Sequence, residues 1–212
     1  MPLSEKQQFI QAFFDGFKAK VLRLKDLFSQ SFEDEAFTLC LVYIDRLASG
    51  HYGGQLGQNR KNFWQVLTNL SGNPLFGMIH PRELLEQTKA KYPSAALLIE
   101  SIVNRQSGAL LKEDDLATEI KSSSLTGPDK IQLTSNLWRA SMANICYDYI
   151  RNAEVHGPGS GGLSFDETIY QGRKGVKLDF DMLYAALDEI LRRVADASIQ
   201  TRQWFGNPKY TL

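Results

Sequence analysis

The chain has little of what several functional classes require. It has two cysteines, three histidines, no net charge and no apolar run near membrane length. Cys40 and Cys146 both lie within apolar stretches of helical spacing, the pattern of buried, reduced thiols in a cytosolic protein. Twenty-four basic residues balance 24 acidic ones. That argues against a protein that coats nucleic acid through bulk electrostatics, since such domains are strongly basic. It leaves room for a local basic pocket, including one assembled between two subunits. No apolar stretch approaches the roughly 20 residues of a membrane span. The opening Met1-Pro2-Leu3-Ser4-Glu5-Lys6 lacks the basic-then-apolar pattern of a signal peptide, so a cytoplasmic location is expected.

Other chemistries are disfavoured by spacing. His51, His80 and His156 have no mutual spacing suited to zinc, and neither cysteine falls near one of them. Glu113-Asp114-Asp115 reads as the acidic first turn of a helix and not as a cation loop. Gly157-Pro158-Gly159-Ser160-Gly161-Gly162 follows a helical segment and has no Gly-Lys-Ser/Thr ending, so it fails as a phosphate-binding loop. No Gly-x-Ser-x-Gly elbow is present. Neither a metal nor an organic cofactor is expected.

What is present is helical. Hydrophobic residues make up 43% of the chain and charged residues 23%, the proportions of a globular protein long enough to bury its own core. Ser4 and Gln7 form a capping-box pattern ahead of Phe9, Ile10, Phe13, Phe14, Phe17, Val21, Leu24 and Phe28, predicting a helix to about Ser29. A second helix is expected from Glu33 to Gly50, antiparallel to the first because the link is short. Further helices are expected over 62–70, from Pro81 to Lys89, from Pro93 to Val103 and over 112–121. A linker-like break falls at 122–128. From Asp129 the apolar positions Ile131, Leu137, Trp138, Met142, Ile145, Tyr149 and Ile150 predict one long helix to about Val155. A small β-hairpin is expected from Phe165–Tyr170 and Val176–Phe180, then a last helix capped by Asp181, then a tail from Trp204. The expected class is all-α, in one domain over residues 1–212.

The segment Tyr149-Ile150-Arg151-Asn152-Ala153-Glu154-Val155-His156 carries the chemistry. Imidazole moves protons near neutral pH, and a guanidinium holds a phosphate whose charge grows in the transition state. Together they suffice to cleave RNA without a metal. On an ideal helix Arg151 and His156 lie about 140° apart, while Asn152 and His156 are i,i+4 neighbours. Tyr147 and Tyr149 are weighed as base contacts against core packing, and Gln58-Asn59-Arg60-Lys61 as a phosphate contact against a solvated loop.

Arg151-Asn152-x3-His156 at a helix end resembles the Arg-polar-x3-His form of the Arg-x4–6-His motif of the HEPN superfamily (higher eukaryotes and prokaryotes nucleotide-binding). The stretch Leu39-Cys40-Leu41-Val42-Tyr43-Ile44-Asp45-Arg46-Leu47 is similar to that family's earlier core helix, where an acidic residue often supports the active site. The resemblance covers residues 4–50 and 129–196. It implies an antiparallel helical bundle into which 51–128 is inserted. It also implies a homodimer and, for many members, a metal-independent ribonuclease, in some cases a toxin paired with a nucleotidyltransferase-like antitoxin. Carried over by position, Arg151 would polarise the scissile phosphate, His156 would act as base or acid, Asn152 would orient one of these groups or the RNA, and Asp45 would support them. Two other outcomes stay open: a catalytically inactive module that binds nucleotides or proteins, and a structural protein with an accidental match.

Overall fold

The computed structural model describes residues 3–55, 57–106, 109–151 and 180–207, and for residues 149–151 the backbone alone. In chain order the helices are α1 (Glu5–Ser29), α2 (Glu33–Tyr52), α3 (Asn59–Leu70), α4 (Pro81–Lys91), α5 (Ala96–Arg105), α6 (Glu113–Ser122), α7 (Gly127–Asn136), α8 (Met142–Ile145) and α9 (Phe180–Thr201). Short 3-10 turns occupy Pro74–Gly77, Pro93–Ala95, Leu137–Ala140 and Trp204–Gly206, and a π-helical turn occupies Cys146–Arg151. The described residues are all-helical, with two isolated β-bridges and no strand. They fall into two compact units, 3–73 with 147–151 and 180–207, and 74–146.

The first unit is built by α1, α2, α3 and α9. Ser4 caps α1 and Gln7 completes the box, so two N-terminal donors are satisfied as the sequence predicts. Ile10, Phe14, Phe17, Val21 and Leu24 then form one buried stripe. In α2 three acidic residues open the helix, where they complement its dipole, and Ala36, Cys40, Leu41, Ile44, Leu47 and Ala48 are buried. The deepest stripe on α9 contains Leu183, Leu187, Ile190 and Val194, each with no exposed surface. Truncating Leu183, Leu187 or Ile190 to alanine would cost about 2–5 kcal/mol. Polar ties fix the register between helices. Gln7 Nε2 donates to the Ile199 carbonyl at 3.0 Å, and Arg193 Nη1 donates to the Asn69 carbonyl at 3.2 Å. At the far end, the Phe28 and Phe180 rings stack with centroids 4.3 Å apart.

Residues 204–207, the described part of the expected tail, are packed on the first unit. Phe205 packs edge-on against Phe13 and Phe14, each with centroids 5.8 Å away, and Asn207 Nδ2 donates to the Gly50 and His51 carbonyls at 3.2 and 3.0 Å. Composition alone gives no sign of this, because the anchoring partners lie on α1 and α2.

The second unit is made by α4 to α8, around a core that includes Ile79, Leu84, Ile99, Ile102, Leu116 and Ile120. Here the single long helix expected from Asp129 is corrected. The chain leaves α7 at Asn136, makes the 3-10 turn, and becomes extended at Ser141 (φ −73°, ψ 156°). The interruption frees backbone groups for a small β-like junction. Met142 N–H donates to the Met78 carbonyl at 2.9 Å and His80 N–H to the Ala140 carbonyl at 2.8 Å, while Ile79 and Leu111 exchange bonds of 2.8 and 2.9 Å. Ile131, assigned by periodicity to the buried face, is 71% exposed. The hairpin expected before the last helix lies outside the described residues, apart from Phe180, which opens α9. Of the 51–128 stretch, α3 packs on α2 and α9 within the first unit, and residues from 74 onward belong to the second.

Candidate functional site

The segment leading to the Arg-Asn-x3-His motif is assembled in three steps. Ser141 Oγ accepts the Asn144 N–H at 3.2 Å and starts α8. One turn later the ladder widens, and Cys146–Arg151 is π-helical. Such turns are rare and are frequent at functional sites. Two residues of α3 then hold the wide turn. Arg60 forms an ion pair with Asp148, and its guanidinium carbon lies 5.4 Å from the Tyr147 ring centroid. Phe63, one turn further along α3, meets the Tyr147 ring edge-on at 5.4 Å. Consecutive residues of the turn, Tyr147 and Asp148, are therefore gripped by one face of α3.

Arg151 closes this turn by its backbone. Asn152 and His156 lie outside the described residues, as does the glycine-rich stretch after them. The chemistry expected of the three side chains is accordingly a matter of sequence, whereas the support beneath Arg151 is structural. Asp148 and Arg60 were not legible as a pair. Arg60 belongs to the cluster weighed as a phosphate contact, yet its guanidinium is engaged with Asp148 and Tyr147. Tyr147 is buried, which favours packing over base contact for that residue.

Asp45 sits midway along α2, half-buried, with one carboxylate oxygen out of reach of solvent. It lines a concavity of about 390 Å³ with Val42, Arg46, Ser49, Gly50 and Phe205. Among the described residues this lining comes from α2 and the C-terminal turn alone. Phe205 adopts a left-handed backbone (φ 55°, ψ 16°), costly for a bulky residue. It is held there because its ring covers Gly50, where a Cβ would stand 2.5 Å from the ring, and because its carbonyl accepts a 2.7 Å bond from His51 Nδ1. The carbonyl can only accept, so the proton of His51 resides on Nδ1.

The remaining sequence candidates have structural roles. His80 is buried and caps α4, its Nδ1 accepting the Glu83 N–H at 3.3 Å. Burial holds its pKa below the ordinary value against the opposing pull of Glu83. Glu113-Asp114-Asp115 forms the acidic first turn of α6. Cys40 and Cys146 are buried free thiols, and burial pushes both up, Cys146 to about 12, so neither is poised as a nucleophile. Among the described residues no group of three or more His, Cys, Asp or Glu could hold a metal ion, and no helix is long and apolar enough to cross a membrane. No family model, curated protein or solved structure matches the chain.

Proposed function

We propose that this all-helical chain is a HEPN-like, metal-independent endoribonuclease that works as a homodimer. The reading rests on the Arg151-Asn152-x3-His156 motif, and one observation supports it most. The motif begins on a rare π-helical turn that a second helix grips through an ion pair and a buried tyrosine. Holding a reacting group in place is what such support contributes to catalysis, because misplacement by an ångström costs about 10²-fold.

On this reading His156 takes the proton of the RNA 2′-hydroxyl as that oxygen attacks the adjacent phosphorus, or gives a proton to the departing 5′ oxygen, solvent water serving at the other end. The P–O5′ bond breaks, leaving a 2′,3′-cyclic phosphate and a 5′-hydroxyl. Arg151 stabilises the charge on the phosphate oxygens, and Asn152 orients one of the two groups. Asp45 supports the site from α2. A nucleotidyltransferase-like antitoxin is the partner class that the resemblance suggests, and RNA the substrate.

The test is incubation of the full chain, in EDTA, with end-labelled single-stranded RNA and with DNA of the same sequence. Wild type should cleave only the RNA. Folded His156→Ala and Arg151→Ala proteins should each lose about 10²–10⁴-fold in rate. An Arg151→Ala protein that stays folded and cuts as fast as wild type defeats the assignment. Zero net charge and the apolar concavity beside Asp45 favour a second reading, a catalytically inactive binding module. That reading predicts retention of RNA or nucleotide without cleavage.

A further inference from the structure

The concavity beside Asp45 follows one stripe of α2. Val42, Asp45, Arg46, Ser49 and Gly50 recur at i, i+3, i+4, i+7 and i+8, so they line up over about 12 Å of helix. Phe205 closes one end, where its half-buried ring covers Gly50. Val42, 41% exposed, stands at the other. Between these apolar ends lie two opposite charges, the carboxylate of half-buried Asp45 and the guanidinium of exposed Arg46. Among the described residues Arg46 takes part in no ion pair. Consecutive side chains diverge by about 100° around a helix, so the two charges flank the stripe and do not neutralise each other.

We infer that this concavity binds a free α-amino acid with a large apolar side chain. Its volume of about 390 Å³ lies at the low end for ligand pockets, which suits a small molecule and not a polymer. Charge narrows the class further. A simple anion would meet Asp45, and a simple cation would meet Arg46, each at a cost of like-charge repulsion. A hydrocarbon would strip water from both charges and give nothing in return. A ligand carrying an ammonium and a carboxylate on one carbon answers both at once, since consecutive α-carbons stand only about 3.8 Å apart. Arg46 can grip the ligand carboxylate through two parallel N–H donors. Asp45 can accept the ammonium beside any partner it keeps within the chain, because a carboxylate has about four acceptor sites. The Ser49 hydroxyl, one turn along the same stripe, can donate to the ligand carboxylate as well. The ligand side chain then lies toward Phe205, over the apolar end of the stripe. A peptide fits poorly, because its two terminal charges are far apart.

Binding here is read without RNA and without the Arg151 motif, so it stands or falls separately from the nuclease assignment. The measurement is isothermal titration calorimetry of the full chain with L-phenylalanine and with L-leucine, circular dichroism checking the fold of each variant. Wild type should bind at least one of them saturably, at one site per chain. Phenylalaninamide, which lacks the carboxylate, and N-acetylphenylalanine, which lacks the ammonium, should each bind about 10-fold or more weakly. Arg46→Gln should weaken phenylalanine by a similar factor and bind it and its amide alike. Asp45→Asn should erase the difference between phenylalanine and its N-acetyl form. A role in folding alone would not produce either pattern. Arg46 is exposed, so its variant carries the test even where Asp45→Asn fails to fold. No saturable binding of either amino acid up to about 10 mM overturns the inference. So does binding indifferent to amidation, to acetylation and to Arg46→Gln, which marks a merely apolar site. A mononucleotide that binds more tightly than either amino acid and is lost in Arg46→Gln overturns it too.

Discussion

The ion pair between Arg60 and Asp148 is open to a quantitative test. Their side chains retain 36% and 28% of their exposure, which puts the pair between two regimes. Exposed pairs couple by about 0.2–1 kcal/mol, and breaking a fully buried pair costs about 3–5 kcal/mol. Arg60 is still more than a third exposed, so solvent screening pulls the expectation to the upper end of the exposed range, about 1 kcal/mol of coupling. The contact of Arg60 with the Tyr147 ring adds about 0.5–1 kcal/mol that Asp148 does not share. Arg60→Ala should therefore cost about 1.5–2 kcal/mol and Asp148→Ala about 1 kcal/mol, with the double variant about 1 kcal/mol better than their sum. Urea unfolding of all four proteins, followed by Trp64 fluorescence with Trp138 and Trp204 changed to Phe, reports on α3 itself. Arg60→Lys retains the charge but loses the planar stack, and should recover only part of the loss. On the proposed function, Arg60→Ala should also lower kcat while KM changes little. Strict additivity, with coupling under about 0.3 kcal/mol, would show that α3 does not hold the π-helical turn through this pair.

Two further perturbations have signs fixed by the structure. Gly50→Ala, which inside a helix normally stabilises by about 1 kcal/mol, should here destabilise, because the new methyl meets the Phe205 ring at 2.5 Å and overpacking costs about 1–3 kcal/mol. Adding Phe205→Ala should reverse the sign of the Gly50→Ala step in thermal melts. Because burial lowers the pKa of His80 in the folded state, the unfolded chain binds its proton more readily. Stability from His80 is thus complete above the ordinary value of 6.5 and is lost as the pH falls below it toward the folded pKa. A His80→Asn protein, capped but not titrating there, should show a flatter profile in denaturant titrations. An unchanged slope would remove His80 as the cause.

Local signals in this chain were legible wherever a helix end is written in adjacent residues. Ser4 with Gln7 and Pro81 in a first turn both mark real starts, whereas Thr126, read as part of a break, caps the helix that opens at Gly127. The stretch from Asp129 misled because hydrophobic periodicity registers spacing and not continuity. Leu137, Met142 and Ile145 are buried and keep helical spacing across the break at Ser141. The reason for the break lies elsewhere, in the backbone of Met78–His80, which takes up the groups the helix gives away. Ile131 fitted the same stripe and is exposed, since nothing in a single-chain pattern says which apolar residue finds a partner.

The site divides in the same way. Arg151, Asn152 and His156 identify themselves by their neighbours along the chain, so a motif is visible. Its supports are not, because the Arg60–Asp148 pair joins residues separated by 88 positions. Counting 100° per residue through Cys146–Arg151 also misplaces the motif's starting point. A single π turn takes up about one extra residue and rotates the backbone register at Arg151 by roughly 100° relative to an unbroken α-helix from Met142. Ideal periodicity counted from Met142 therefore starts the motif on the wrong side. The turn that sets the register and the ion pair that holds it must be counted first. The holding side chains belong to α3, within the 51–128 stretch that the family resemblance left without a counterpart. On the proposed function, the stretch read from sequence as an insertion supplies, through Arg60 and Phe63, the contacts that hold the turn ahead of the motif. On that reading, excising it should abolish RNA cleavage even where α1, α2 and α9 still pack.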